Sequence, residues 1–148
     1  MIGDALLVAP SLYPGERSRS VYFPSEFFDF RHGKRFEKGE HLISVELNEI
    51  PLFVKKGTIV PLAEKHTSSP EFGSVLRLLV TRGNSEYIHF EDAGDGLAYK
   101  SGEFNLIRLE KRGLKFFVSY LHHGMKSHYQ KIQLVNLKGH VKNIDFKF

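Results

Sequence analysis

Along most of this chain apolar and polar residues alternate in short runs, and no stretch of ten or so residues carries helical spacing with caps. The runs are Ala5–Ala9, Ser20–Phe23, Phe27–Phe30, His41–Val45, Val75–Val80, Tyr87–Glu91, Phe104–Lys111, Lys115–Tyr120, Lys131–Leu137 and Val141–Phe148, with two more inside Ile50–Leu62. Turn signals separate them: Pro14-Gly15, Arg82-Gly83-Asn84, Arg112-Gly113 and Lys138-Gly139. About twelve short strands spaced in this way predict an all-β chain of sandwich or barrel type. The stretch Ile50–Leu62, IPLFVKKGTIVPL, is the most apolar of all. It reads as a hairpin turning on Lys55-Lys56-Gly57, with Ile50, Leu52 and Val54 alternating, and it needs another sheet to lie on.

The polar stretch 64–73, EKHTSSPEFG, interrupts the strands with Ser, Thr, Pro and charge. It divides the chain into residues 1–63, a linker over 64–73, and residues 74–148. The expected architecture is two small antiparallel β-sandwich units. A chain of 148 residues is long enough for one domain or two small ones.

Composition adds constraints. With no Cys there are no disulfides and no thiolate metal sites. No apolar run approaches the ~20 residues that cross a bilayer. The opening MIGDALLVAP is short and lacks the basic start of a secretory signal, which leaves the compartment open. The net charge of +4 is unevenly placed: residues 1–63 balance eight basic against eight acidic side chains, whereas ten Lys/Arg after Gly96 face only Glu103, Glu110 and Asp145. These lysines alternate with apolar residues, as on the solvent side of strands. Neither a nucleic-acid nor a membrane partner is expected.

Three segments in order carry a resemblance: Gly3-Asp4-Ala5-Leu6-Leu7-Val8-Ala9-Pro10; Arg19-Ser20-Val21-Tyr22-Phe23-Pro24 with Phe27–Phe30; and Ile50-Pro51-Leu52-Phe53-Val54 with Gly57-Thr58-Ile59-Val60-Pro61-Leu62. A fourth is Phe90-Glu91-Asp92-Ala93-Gly94-Asp95-Gly96 with Tyr99 and Gly102-Glu103. Together they resemble the proximal and distal C-terminal β-sandwiches of glycoside hydrolase family 31, the α-glucosidases and α-xylosidases. The chain departs from the family in having Phe27-Phe28-Asp29 where Trp-Tyr-Asp is frequent, and Lys55-Lys56 where Arg-Ala is common. The family's catalytic aspartates lie on a (β/α)8 barrel that is not in this sequence. The resemblance implies a non-catalytic accessory role with that barrel as partner, no cofactor, and a parent enzyme that hydrolyses terminal α-glucosidic or α-xylosidic bonds with retention. A free-standing carbohydrate-binding module is the rival reading, favoured by a clustered exposed aromatic face. An exposed apolar patch on the first unit favours the accessory role, and self-association of the chain is expected from such a patch.

The residues themselves offer no catalytic, cofactor or metal site. Glycoside hydrolysis with retention needs two carboxyl groups about 5–5.5 Å apart. Asp92 and Asp95 are the nearest pair, and in a glycine loop they read as turn residues. Their loop lacks the spacing of a calcium-binding EF-hand. Asp29 lies beside a polar loop. His122, His123 and His128 cluster in sequence, but neighbours in a strand point to opposite faces, so the trio reads as an exposed polar loop. His66, Ser68 and Ser69 fall in the linker, which is no scaffold for a triad.

Overall fold

The computed structural model describes residues 1–46, 49–63, 74–94 and 96–144. The linker 64–73, Asp95 and the final residues 145–148 lie outside them, and so do the expectations attached to His66, Ser68, Ser69, Phe146 and Phe148. Thirteen strands are described: β1 Leu6–Val8, β2 Ser18–Phe23, β3 Phe27–Asp29, β4 Arg35–Phe36, β5 Gly39–Ser44, β6 Leu52–Lys55, β7 Ile59–Leu62, β8 Val75–Val80, β9 Ser85–Glu91, β10 Asn105–Arg112, β11 Lys115–His123, β12 Lys131–Val135 and β13 Val141–Ile144. One 3-10 turn, Ala98–Ser101, is the only helical segment among the described residues. The fold is all-β, as the alternation predicts.

The strands form four sheets, β2-β5, β1-β6-β3-β4, β13-β12-β8-β7 and β11-β10-β9, and their shared cores fix the stacking. Val21, Phe23 and Ile43 of the first sheet meet Leu7, Phe27, Phe36 and Phe53 of the second. The back of that second sheet, through Phe28 and Val54, meets Leu79 of the third, with Leu6, Phe30, Val60, Leu62 and Leu137 packed around. The other side of the third, through Ile59, Leu76, Leu78 and Ile132, meets Ile107 and Leu109 of the fourth. Two sandwiches therefore stand back to back. Strands of the two inner sheets bury side chains on both faces, which is why Leu6–Val8, Phe53-Val54 and Leu78-Leu79 read as continuous apolar runs. Strands of the outer sheets alternate instead, as β11 does over its whole length.

Phe23 is the centre of the first core. Its ring lies 5.0 Å from Phe36, 4.9 Å from Phe53 and 5.5 Å from Phe27. Such pairs contribute about 0.5–1.5 kcal/mol each beyond their buried area.

Two expectations need correction. Ile50–Leu62 is not a hairpin: β6 pairs with β1 and β3, while β7 pairs antiparallel with β8 in a different sheet. A hairpin would put both strands in one layer, but each has apolar residues on both faces and fills a separate inner layer. The chain steps between layers at Gly57, whose φ of 72° suits glycine, and where an added Cβ would lie 2.8 Å from the Asn84 carbonyl oxygen. Thr58 Oγ1 donates to the Lys55 carbonyl at 2.7 Å within this step, and Thr58 N–H donates to Thr81 Oγ1 at 2.9 Å, fastening it to the turn after β8. The second correction is that pairing is not antiparallel throughout, because β8 and β12 run parallel, Lys131 beside Val75 through Val135 beside Leu79.

Candidate functional site

Of the carboxylates singled out in the sequence, Asp29 and Asp92 are occupied by their own turns. Asp29 Oδ1 accepts the N–H groups of Arg31 and His32 at 2.9 and 2.6 Å. Asp92 Oδ1 accepts the Gly94 N–H at 2.9 Å. Asp95 lies outside the described residues. Asp29 lines a cleft of about 470 Å³ with Arg31, Lys34, Glu46, Glu49 and Leu52. Arg31 and Glu49 form an ion pair across it. Asp29 is thus engaged by its own turn and Arg31 by Glu49.

The histidines are not the exposed loop that their polarity suggests. β11 runs on to His123, so His122 and His123 belong to a strand end. A register shift opposite Leu106/Ile107 re-aims them. His122 stacks on Phe104 at 4.2 Å and bonds the Gly102 carbonyl through Nε2, while His123 stacks on Tyr120 at 4.2 Å. His128 is turned elsewhere, with Nε2 3.0 Å from the Asp92 carbonyl oxygen. Among the described residues no three His, Asp or Glu side chains converge as a metal would need.

The site that sequence reading passes over is a buried acid. Glu91 and Asn105 end facing positions of β9 and β10, and both are buried. Asn105 Nδ2 donates to Glu91 Oε2 at 2.8 Å; Ser127 Oγ and the His128 N–H donate to Glu91 Oε1 at 2.9 and 2.6 Å. Asn105 Oδ1 accepts the N–H groups of Gly124 and Met125 at 3.1 and 3.2 Å. Neutral donors thus hold a buried carboxylate, and through it they tie residues 124–128 to two strands. Nearby, burial pushes the His89 imidazole down, with Glu91 pulling partly the other way, and burial raises Tyr129 and Tyr87. His89 Nε2 lies 3.2 Å from the Tyr129 hydroxyl. Closed from solvent and held by three donors, this acid is a fastener. Its sequence signal was available: an Asn breaks the inward apolar series Asn105, Ile107, Leu109 directly opposite a Glu.

Two apolar surfaces remain open. On the outer sheet β2-β5, Tyr22 and Leu42 are well over half exposed, on the face opposite the buried Val21, Phe23 and Ile43. Leu12, Tyr13 and Ile50 are similarly exposed. On the outer sheet β11-β10-β9, Ile88, Phe90, Phe117 and Leu121 are about half exposed. The aromatics here stack on each other, Phe90 on Phe104 at 5.5 Å and Phe104 on His122 at 4.2 Å.

Residues 1–60 match the glycosyl hydrolase family 31 C-terminal domain. The chain belongs to the C-terminal region of family 31. It is 32% identical to an α-xylosidase of Saccharolobus solfataricus over 112 residues, 72% of this chain and 15% of the relative. It is 28% identical to α-glucosidase 2 of Bacillus thermoamyloliquefaciens over 115 residues, covering 74% and 15%. Among solved structures, the family 31 α-xylosidase of Xanthomonas citri superposes with a TM-score of 0.79 at 27% identity, over 99% of this chain and 18% of that one. The chain thus spans under a fifth of these enzymes' length, and its place in the family is that of an accessory region. In the relatives, this region is one part of a larger enzyme.

Proposed function

We propose that this chain steadies the catalytic barrel of a family 31 enzyme that hydrolyses terminal α-glucosidic or α-xylosidic bonds, and that the outer β2-β5 face is the docking surface. The observation that carries this reading is the exposed apolar patch of Tyr22 and Leu42 over a fully built core. They stand diagonally to each other on one face, Tyr22 opposite Glu40 and Leu42 opposite Ser20, and large apolar side chains gathered on an exposed sheet face mark an interaction surface. The paired carboxyl groups that the reaction needs belong, on this reading, to the barrel. The two-unit organisation belongs to the same proposal. The pairing of β7 with β8 supports a seam at Lys56-Gly57 in place of the linker 64–73. The stacked rings of Phe90, Phe104 and His122 speak against the carbohydrate-binding rival.

The test is a chimera in which this chain replaces the matched region of the Saccharolobus α-xylosidase. The chimera is expected to turn over an aryl α-xyloside, and Tyr22→Lys with Leu42→Glu is expected to lower its melting temperature while leaving that of the isolated chain in place. A chimera as stable with the two substitutions as without them refutes the docking surface.

A further inference from the structure

Residues 9–17 join β1 to β2, and these strands lie in the two sheets that enclose the first core. The connection therefore crosses the end of the first sandwich. Both its feet are pinned. The Ala9 N–H donates to the Pro51 carbonyl at 3.0 Å, and the Val45 N–H donates to the Arg17 carbonyl at 2.9 Å. Arg19 Nη1 also donates to the Pro10 carbonyl. Between the feet the loop is bonded to itself. Glu16 Oε2 accepts the Leu12 N–H at 2.9 Å and the Ser11 hydroxyl at 3.0 Å, while the Glu16 N–H donates to the Tyr13 carbonyl at 3.2 Å. The Leu12 N–H above all holds the Glu16 carboxyl below its ordinary range, so the loop closes on the ionised acid. Pro10 and Pro14 fix φ on either side of the tip, and Gly15 takes the φ of 79° that completes the turn.

This loop holds two large apolar side chains outward: Leu12 is 63% exposed and Tyr13 72%. A single exposed apolar residue is ordinary, but these two have company. Ile50, also well over half exposed, precedes the Pro51 that bonds Ala9 at the foot of the loop. Ile50 and Leu42 line one cleft. Exposed apolar side chains thus run from Tyr22 and Leu42 on the β2-β5 face, past Ile50, to Leu12 and Tyr13 at the sandwich end. Tyrosine is a frequent anchor at interfaces, and a tip already fixed in shape loses little further freedom on binding. In the relatives this region is one part of a larger enzyme, and continuity with the docking face gives the loop the same occupant, the catalytic barrel.

We propose that residues 10–16 are the anchor of this docking, a preformed tip that seats Leu12 and Tyr13 in an apolar recess of the catalytic barrel. This rests on the reading that the chain docks on the barrel; the loop and the β2-β5 face are then two parts of one contact.

The chimera with the Saccharolobus α-xylosidase, read by hydroxyl-radical footprinting, reports the solvent contact of each tyrosine. Tyr13 and Tyr22 are both expected to be oxidised several-fold more slowly in the chimera than in the isolated chain, with Tyr99 of the other sandwich as the reference. In thermal melts, Leu12→Ser with Tyr13→Ser is expected to lower the chimera's melting temperature by several degrees without moving that of the isolated chain. Tyr13→Phe, which keeps the ring, is expected to leave both in place. NMR order parameters of the isolated chain check the stiffness: those at Leu12 and Tyr13 are expected to match β2 and β5, and to fall in Glu16→Ala. Tyr13 as reactive in the chimera as alone, beside a protected Tyr22, overturns the anchor and leaves the docking face standing. Both tyrosines unprotected overturns both. Tyr13 protected beside a reactive Tyr22 supports the anchor and refutes the β2-β5 face. Order parameters at Leu12 and Tyr13 well below those of β2 and β5 overturn the preformed tip, and so does a chimera indifferent to the double serine substitution.

Discussion

Replacing Asn105 by Ala removes more from this protein than an amide. The side chain is fully buried and makes three hydrogen bonds of different kinds. One goes to the Glu91 carboxylate, and a bond to a charged group is worth roughly 1.5–3 kcal/mol. The acid keeps Ser127 and the His128 N–H, so it is weakened but not stripped. Of the two N–H groups on Oδ1, that of Gly124 also has the Phe104 carbonyl at 2.9 Å, so only Met125 loses its acceptor, at about 1 kcal/mol. The sum is roughly 2.5–4 kcal/mol, a large share of the 5–15 kcal/mol typical of a domain. At roughly 2–4 °C per kcal/mol for a chain of this size, the melting temperature is expected to fall by about 5–16 °C. Urea denaturation measures the free energy, and hydrogen exchange at Met125 and His128 locates it: both amides lose protection while β2 and β5 keep theirs. Glu91→Gln supplies the second arm of a double-mutant cycle, with an expected coupling of roughly 1–3 kcal/mol. A loss below about 1 kcal/mol for Asn105→Ala, or additive single mutants, refutes the claim that this pair fastens residues 124–128.

His89 titrates below its ordinary 6.5 when folded, chiefly because it is buried, so the unfolded chain binds protons more readily; its contribution to stability is complete above pH 6.5 and is lost as pH falls from there through the folded value, and denaturation midpoints against pH are expected to lose that slope in His89→Phe. Gly57→Ala forces a side chain into a positive-φ position and against the Asn84 carbonyl, and calorimetry is expected to show a loss of at least about 1–2 kcal/mol, whereas Gly139→Ala, with positive φ but open space, loses less.

Strand placement was legible in the sequence because alternation and turn residues act locally. Ile43 and Val45 share a buried face and Leu42 is out, as their spacing says. Partnership was less legible. Nothing in Leu52–Leu62 distinguishes a hairpin from two strands that part at a glycine, since the difference lies in which distant strands offer an apolar face. Likewise, a continuous apolar run such as Leu76–Val80 shows that both faces are covered, without saying by what. The buried acid escaped for another reason: Glu91 sits in a motif whose glycines and aspartates draw the eye to the loop, while its partner Asn105 is remote in sequence and meets it only through register.

The parallel pairing of β8 with β12 has a bearing on how the molecule assembles. Parallel neighbours cannot be joined by a tight turn, and here the connection is residues 81–130, which include the whole β11-β10-β9 sheet. That sheet is built from local hairpins: β10 and β11 meet at Arg112 and Lys115, and β9 joins β10 over a modest loop. It can therefore form early as an autonomous meander. β12 has no seat until that meander has carried the chain back to the start of β8. The entropy of closing so long a loop is paid before any β8–β12 contact is made, which makes the docking of β12, with β13 paired to it, a natural late step of folding that depends on everything between. A ribosome releasing the chain in order would hold β8 with one edge bare until β12 emerged.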